Sequence, residues 1–207
     1  MNITKDNGTL DKKVSLRHVA LKRVPLPVVM ETHGGWGDIY ASVYHQVEQG
    51  VVFESNSQKA TYLASQRPQW AVYEADCISS LRLGAGSHLP INFLDVDPYG
   101  DPWPVLSAFL QSARPRVPEL VIVVNDGLRQ SVKMGGAWQS PCLEMVVEKW
   151  GNQLWDHYLP ACEWLMSDLA SESGYQMSYF DGYYCGSDIH SMNITHYVAV
   201  LRDVNVA

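Results

Sequence analysis

Five short apolar runs constrain this chain more than any other feature: PVVM (27–30), GVVFE (50–54), WAVYE (70–74), INFLDV (91–96) and ELVIVV (119–124). Several are continuous and not alternating, the pattern of strands covered on both faces of a parallel sheet. Between them lie amphipathic stretches of helical length at about 38–48, 57–66 and 103–113, the last with Pro102 and Pro104 near its first turn, where a missing N–H does little harm. That rhythm predicts an α/β fold with a mostly parallel sheet. Helices are expected again at about 141–150 and 160–171. YQMSYFDGYY (175–184) and ITHYVAVLR (194–202) then read as a C-terminal antiparallel pair on one sheet edge, for seven strands in all.

A chain of 207 residues suits a single domain with a sizeable core. No apolar stretch approaches the roughly 18 to 20 residues of a membrane span, and MNITKDNGTLDKK lacks the apolar centre of a secretory signal, so a cytoplasmic protein is expected. Cys77, Cys142, Cys162 and Cys185 show neither C-x-x-C pairing nor zinc spacing and read as reduced thiols. The seven histidines form no H-E-x-x-H pattern, and no metal site is expected. The net charge of −7 is uneven: residues 1–25 hold Lys5, Lys12, Lys13, Arg17, Lys22 and Arg23 against Asp6 and Asp11, a local +4 that leaves −11 for the rest. Residues 1–25 therefore read as a polar basic arm and 26–207 as the folded domain, with 125–158 a loop-and-helix elaboration. A nucleic-acid partner would have to engage the arm, which reads equally well as a solvated tail.

In open α/β sheets ligands sit beyond the carboxyl ends of the strands. The first run ends in ETHGGWGD, where Gly35 and Gly37 allow a sharp turn and close backbone approach. Glu31 stands at that tip, Glu54 at the second, 19 residues after Gly35, and Asp76 just past the third. An acid at the second tip suits ribose hydroxyls, and Asp76 suits an adenine amino group, or simply caps a helix. Carboxylates so placed disfavour a pyrophosphate dinucleotide. They favour S-adenosylmethionine (SAM), which carries an ammonium and a sulfonium and no phosphate.

The fourth tip, Asp95-Val96-Asp97-Pro98-Tyr99-Gly100-Asp101-Pro102, fits D-x-D-P-[FY]-G-x-P at every fixed position. In this the chain resembles class I SAM-dependent methyltransferases, most of all the catalytic domain of the tRNA N2,N2-dimethylguanosine methyltransferase family, over about Pro27 to Asn125. The resemblance implies the Rossmann-like class I methyltransferase fold and SAM as donor, held by Glu31, His33, Gly35, Gly37, Glu54, Asp76 and Asp95. His33 stands where many class I enzymes have their first glycine. It also implies methyl transfer to an amine at Asp97, Pro98 and Tyr99, a nucleobase exocyclic amine being the favoured acceptor. Physically, Asp97 and the Pro98 carbonyl can grip N–H groups and aim the nitrogen, and Tyr99 offers a flat face for stacking.

After the fifth strand, Asn125 and the loop GLRQSVKMGGAW present Arg129, Lys133 and Trp138 as substrate-binding groups that could clamp a phosphate and stack a base. The acidic body argues for a different acceptor, a small molecule or a protein side chain. A third reading keeps the fold without catalysis, as a binding subunit. The oligomeric state is not readable from the sequence.

Overall fold

The computed structural model describes residues 9–133, 141–186 and 193–205. Seven strands form one sheet in the order β3-β2-β1-β4-β5-β7-β6: β1 (Val28–Glu31), β2 (Gln49–Glu54), β3 (Ala71–Glu74), β4 (Phe93–Val96), β5 (Glu119–Asp126), β6 (Tyr175–Cys185) and β7 (Ile194–Asp203). The first five are parallel, and β7 lies antiparallel between β5 and β6. The expected α/β, Rossmann-like sheet with its antiparallel C-terminal pair is thus what the chain forms.

The continuous apolar runs find their reason in the packing. Along β5, Leu120, Ile122 and Val124 join one core with Leu94, Phe53 and Met30, while Val121 and Val123 join a second with Val29, Val52 and Phe93. Side chains alternate in direction along a strand, so a strand covered on both faces must be apolar at every position. Helices α3 (Cys77–Arg82), α4 (Trp103–Gln111), α6 (Pro141–Trp150) and α7 (Tyr158–Glu172) lie on the first face. On the second are α1 (Leu10–Leu21), a π-helical turn (Tyr40–Tyr44) and α2 (Ser57–Gln66).

Two segments differ from the sequence reading. Residues 10–21, within the expected arm, form α1, which packs on β5 and β7 with Ala20 and Arg17 facing inward. A helix with a cation on its buried side carries no apolar stripe for periodicity to detect. The segment after β5, read as irregular, begins with a short helix, α5 (Leu128–Lys133).

Candidate active site

The tips of β1 and β4 are neighbours in register, Glu31 beside Asp95, and the Thr32 N–H donates to the Asp95 carbonyl at 3.0 Å. This brings the glycine turn and the D-P-Y-G corner to one end of the sheet. Gly35 and Gly37 take φ of +54° and +82°, the left-handed region that glycine enters without strain. The Gly35 N–H donates to Glu54 Oε2 at 2.9 Å, and the Asn56 N–H to Oε1 at 2.8 Å, so Glu54 braces the turn from β2. A side-chain carbon at Gly35 would meet nothing within 4 Å: the turn is open there. Asp76 caps α3, accepting from the Ser79 N–H at 2.8 Å, and that bond holds its carboxyl below the ordinary range.

Glu31 departs from expectation. Only 3% exposed, it is ion-paired with the buried Arg67 guanidinium from the end of α2, which also lies over the Tyr40 ring. Burial pushes its carboxyl up to about 7 against the pull of Arg67. Its charge is met inside the protein and is not presented to a cofactor's ammonium. His33 bridges the crest, its Nδ1 2.9 Å from the Thr32 hydroxyl and its Nε2 3.8 Å from Cys77 Sγ; burial pulls its pKa below the ordinary histidine value.

Asp95 faces α1. Arg17 donates through Nε and Nη2 to its two oxygens, each at 2.6 Å, and the Tyr44 hydroxyl donates at 2.8 Å. At 3% exposure Asp95 anchors a helix in this structure and presents no oxygen to a cofactor. The π-turn is what brings Tyr44 there.

One residue pair further out, Lys13 Nζ donates to both oxygens of Asp97 at 2.8 and 2.9 Å, and Asn125 Nδ2 donates to Oδ1 at 2.6 Å. Burial alone would lift the Asp97 carboxyl, but Arg17, Lys13 and Asn125 hold it below the ordinary range. The corner beyond it is pinned to β5: the Gly127 N–H donates to the Gly100 carbonyl at 3.0 Å, with Gly100 at φ +96°. Asp101 accepts from the Trp103 N–H at 2.9 Å and starts α4. Pro98 is buried, whereas Tyr99 is 88% exposed, its ring at the surface beside Asp97.

The structure therefore joins Asp97, Pro98, Tyr99 and Asn125, but not Arg129. That guanidinium is 6% exposed, with the Trp155 and Tyr184 rings at 3.7 and 3.6 Å, and it donates to the Trp155 carbonyl. Lys133 is exposed, 5.3 Å from the Trp155 ring, and Trp138 lies outside the described residues. Sequence reasoning missed Lys13, Arg17, Tyr44 and Arg67, four of the side chains that meet the carboxylates at the β1 and β4 tips. Among the described residues no group of acids, histidines and cysteines is arranged to hold a metal, and no helix is long and apolar enough to cross a membrane.

No protein-family model and no curated protein matches the chain by sequence. Solved structures do match by shape. Trm1 from Pyrococcus horikoshii in complex with S-adenosyl-L-methionine superposes with a TM-score of 0.66 at 12% identity, over 94% of this chain and 55% of that one. M. jannaschii TYW2 in complex with AdoMet gives 0.59 at 12% identity over 98% and 80%, and the N-methyltransferase NodS from Bradyrhizobium japonicum WM9 with S-adenosyl-l-homocysteine gives 0.60 at 8% over 98% and 90%. The chain thus spans about half the length of the first of these. At such identities the likeness is one of architecture: the chain has the Rossmann-like fold of the SAM-dependent methyltransferases.

Proposed function

We propose that the chain is a SAM-dependent methyltransferase that delivers a methyl group to an acceptor amine. One observation carries the reading: an open glycine turn braced by Glu54 and a D-P-Y-G corner pinned to β5 lie on adjacent parallel strand tips, so donor and acceptor would meet between them. Gly35, Gly37, His33, Glu54 and Asp76 would hold the donor. They fit it in the open turn at Gly35 and in the carboxylates on β2 and after β3, and less well at Glu31 and Asp95, which are paired internally. SAM supplies an activated methyl and its own leaving group, which leaves the protein orientation and charge placement. With Lys13 displaced from its oxygens, Asp97, fixed by Asn125, would grip N–H groups and turn the nitrogen lone pair toward the methyl carbon. Tyr99, at the surface beyond Pro98, would stack a planar acceptor.

A nucleobase exocyclic amine is the favoured acceptor, supported by that exposed ring and by the likeness of the corner to the tRNA-modifying family. A second reading, an amine on a small molecule or a protein side chain, is favoured by a different observation. Lys13 and Arg17 point inward and are spent on Asp97 and Asp95, so the basic arm loses much of the charge that would attract a phosphate backbone.

Calorimetry with SAM tests the donor, and tritium transfer from labelled SAM into RNA, DNA or cell extract tests the acceptor. Asp97→Ala is expected to bind SAM and transfer roughly a hundredfold less; unchanged turnover would remove the corner from the chemistry. A chain that binds no SAM is a methyltransferase-fold binding protein.

A further inference from the structure

Lys13 Nζ stands 2.8 and 2.9 Å from the two oxygens of Asp97, centred on the carboxylate to which the reading above assigns the acceptor amine. It is itself a primary amine. Its seat is built from several directions: Arg17, one helical turn on, is locked to Asp95; the Tyr183 hydroxyl donates to the Lys12 carbonyl at 3.0 Å; and Asn125 fixes Asp97 from β5. Lys13 is 14% exposed on its side chain, while Lys12 and Lys22 lie exposed on the outer side of the same segment. Asn125 Oδ1, its amide oriented by the bond to Asp97, is buried without a partner, a second acceptor for N–H beside the first.

We propose that Lys13 is a methyl acceptor, so that the protein methylates its own helix α1 at Nζ. The inference rests on the reading under Proposed function and names for that site an acceptor of the aliphatic primary amine class. In the step, the ammonium first gives a proton to water, directly or through Asp97. The nitrogen lone pair then forms the N–C bond as the S–C bond of the donor breaks, and the bonding pair stays on sulfur, which passes from sulfonium to thioether. The product is a protonated N-methyl-lysine, with one proton released overall. Because the cation survives, the pair with Asp97 survives too, and helix α1 stays docked.

The full chain is incubated with SAM carrying a trideuterated methyl group, and its peptides are weighed; SAM binding is measured in parallel by calorimetry. Label concentrated on Lys13, faster as pH rises because only the deprotonated amine attacks, and lost in an Asp97→Asn variant that still binds SAM, is the expected result. Bound SAM with no label on Lys13, or label spread equally over Lys12, Lys13 and Lys22, overturns the inference and leaves the donor assignment standing. Absence of SAM binding overturns both. A readout without donor tests the seat itself: acetic anhydride should modify Lys13 roughly tenfold more slowly than Lys12, as expected for an amine held by two charge-assisted hydrogen bonds, and Asp97→Asn should remove the difference. Equal acylation in the unaltered chain means that Lys13 does not occupy Asp97 and sinks the proposal.

Discussion

Arg17 commits two of its nitrogens to Asp95 in a fork only 1% exposed. Burial would pull the guanidinium's pKa down, but Asp95 and Asp97 outweigh it and raise it further. Removing one member of such a pair leaves the other buried and uncompensated, so Arg17→Met should cost about 3–5 kcal/mol, read as a shift of the urea midpoint. Arg17→Lys should recover only part of that, because one ammonium nitrogen replaces the planar fork in which two separate nitrogens each meet one oxygen.

Asp126, at the end of β5, is a different kind of buried acid. The Tyr158 hydroxyl donates to it at 3.0 and 3.1 Å and the Leu128 N–H at 2.8 Å, and burial pushes its carboxyl up to about 7. The folded chain keeps this proton where the unfolded chain, with a carboxylate pKa near 4, has lost it. The contribution to stability is therefore full below about pH 4 and is lost as pH rises through about 7. Asp126→Asn stays neutral, so its unfolding free energy relative to the parent should improve between about pH 5 and about pH 8, measured by urea titration. A constant difference across that range would mean that Asp126 is ionised throughout.

At the scale of elements, the D-P-Y-G corner depends on Gly127. A side-chain carbon there would stand 3.1 Å from the Gly100 Cα and 3.3 Å from its nitrogen, and backbone cannot swing aside as a side chain can. Gly127→Ala should shift the corner by a few tenths of an ångström, costing about 1–3 kcal/mol of stability and about tenfold in methyl transfer. SAM affinity should hold, a split that calorimetry and single-turnover labelling separate. The strands that build this corner were plain in the sequence, because burial on both faces leaves an unbroken apolar run, and β1 to β5 start and end close to those runs. Helix α1 was not, since the buried Arg17 breaks the apolar stripe on its inward side. Yet a signal exists in the spacing: Lys13 and Arg17 are four residues apart on a helix, roughly 6 Å, and Asp95 and Asp97 two apart on a strand, roughly 6.6 Å. Two cations and two anions at matched intervals can dock as a set. Asp97 and Asn125 could be singled out because each directly follows an apolar run, INFLDV and ELVIVV. The fate of Arg129 could not, because Trp155 and Tyr184, which enclose it, come from segments far along the chain.

For the molecule as a whole, inward-facing cations change the meaning of its charge. Of the basic residues in 1–25, Lys13 and Arg17 are paired inside, and Arg23 lies 4.0 Å from the Tyr179 ring centre. Helix α1 is therefore part of the domain's wall, and non-specific affinity for duplex RNA or DNA should be weak, with a logarithmic salt slope no steeper than about −2 by fluorescence anisotropy. A slope near −6 would reveal a phosphate-binding surface elsewhere.

The sheet order has one more effect, felt before the protein is complete. A ribosome releases β5 with its outer edge bare, and β6 follows with no neighbour, until Ile194–Asp203 wedges between them and completes the floor under α1. Among the described elements, the helix made first thus waits for the strand made last. A stop codon ahead of residue 194 should yield chains that sediment as aggregates in cell-free synthesis, since two strands would be left with open edges.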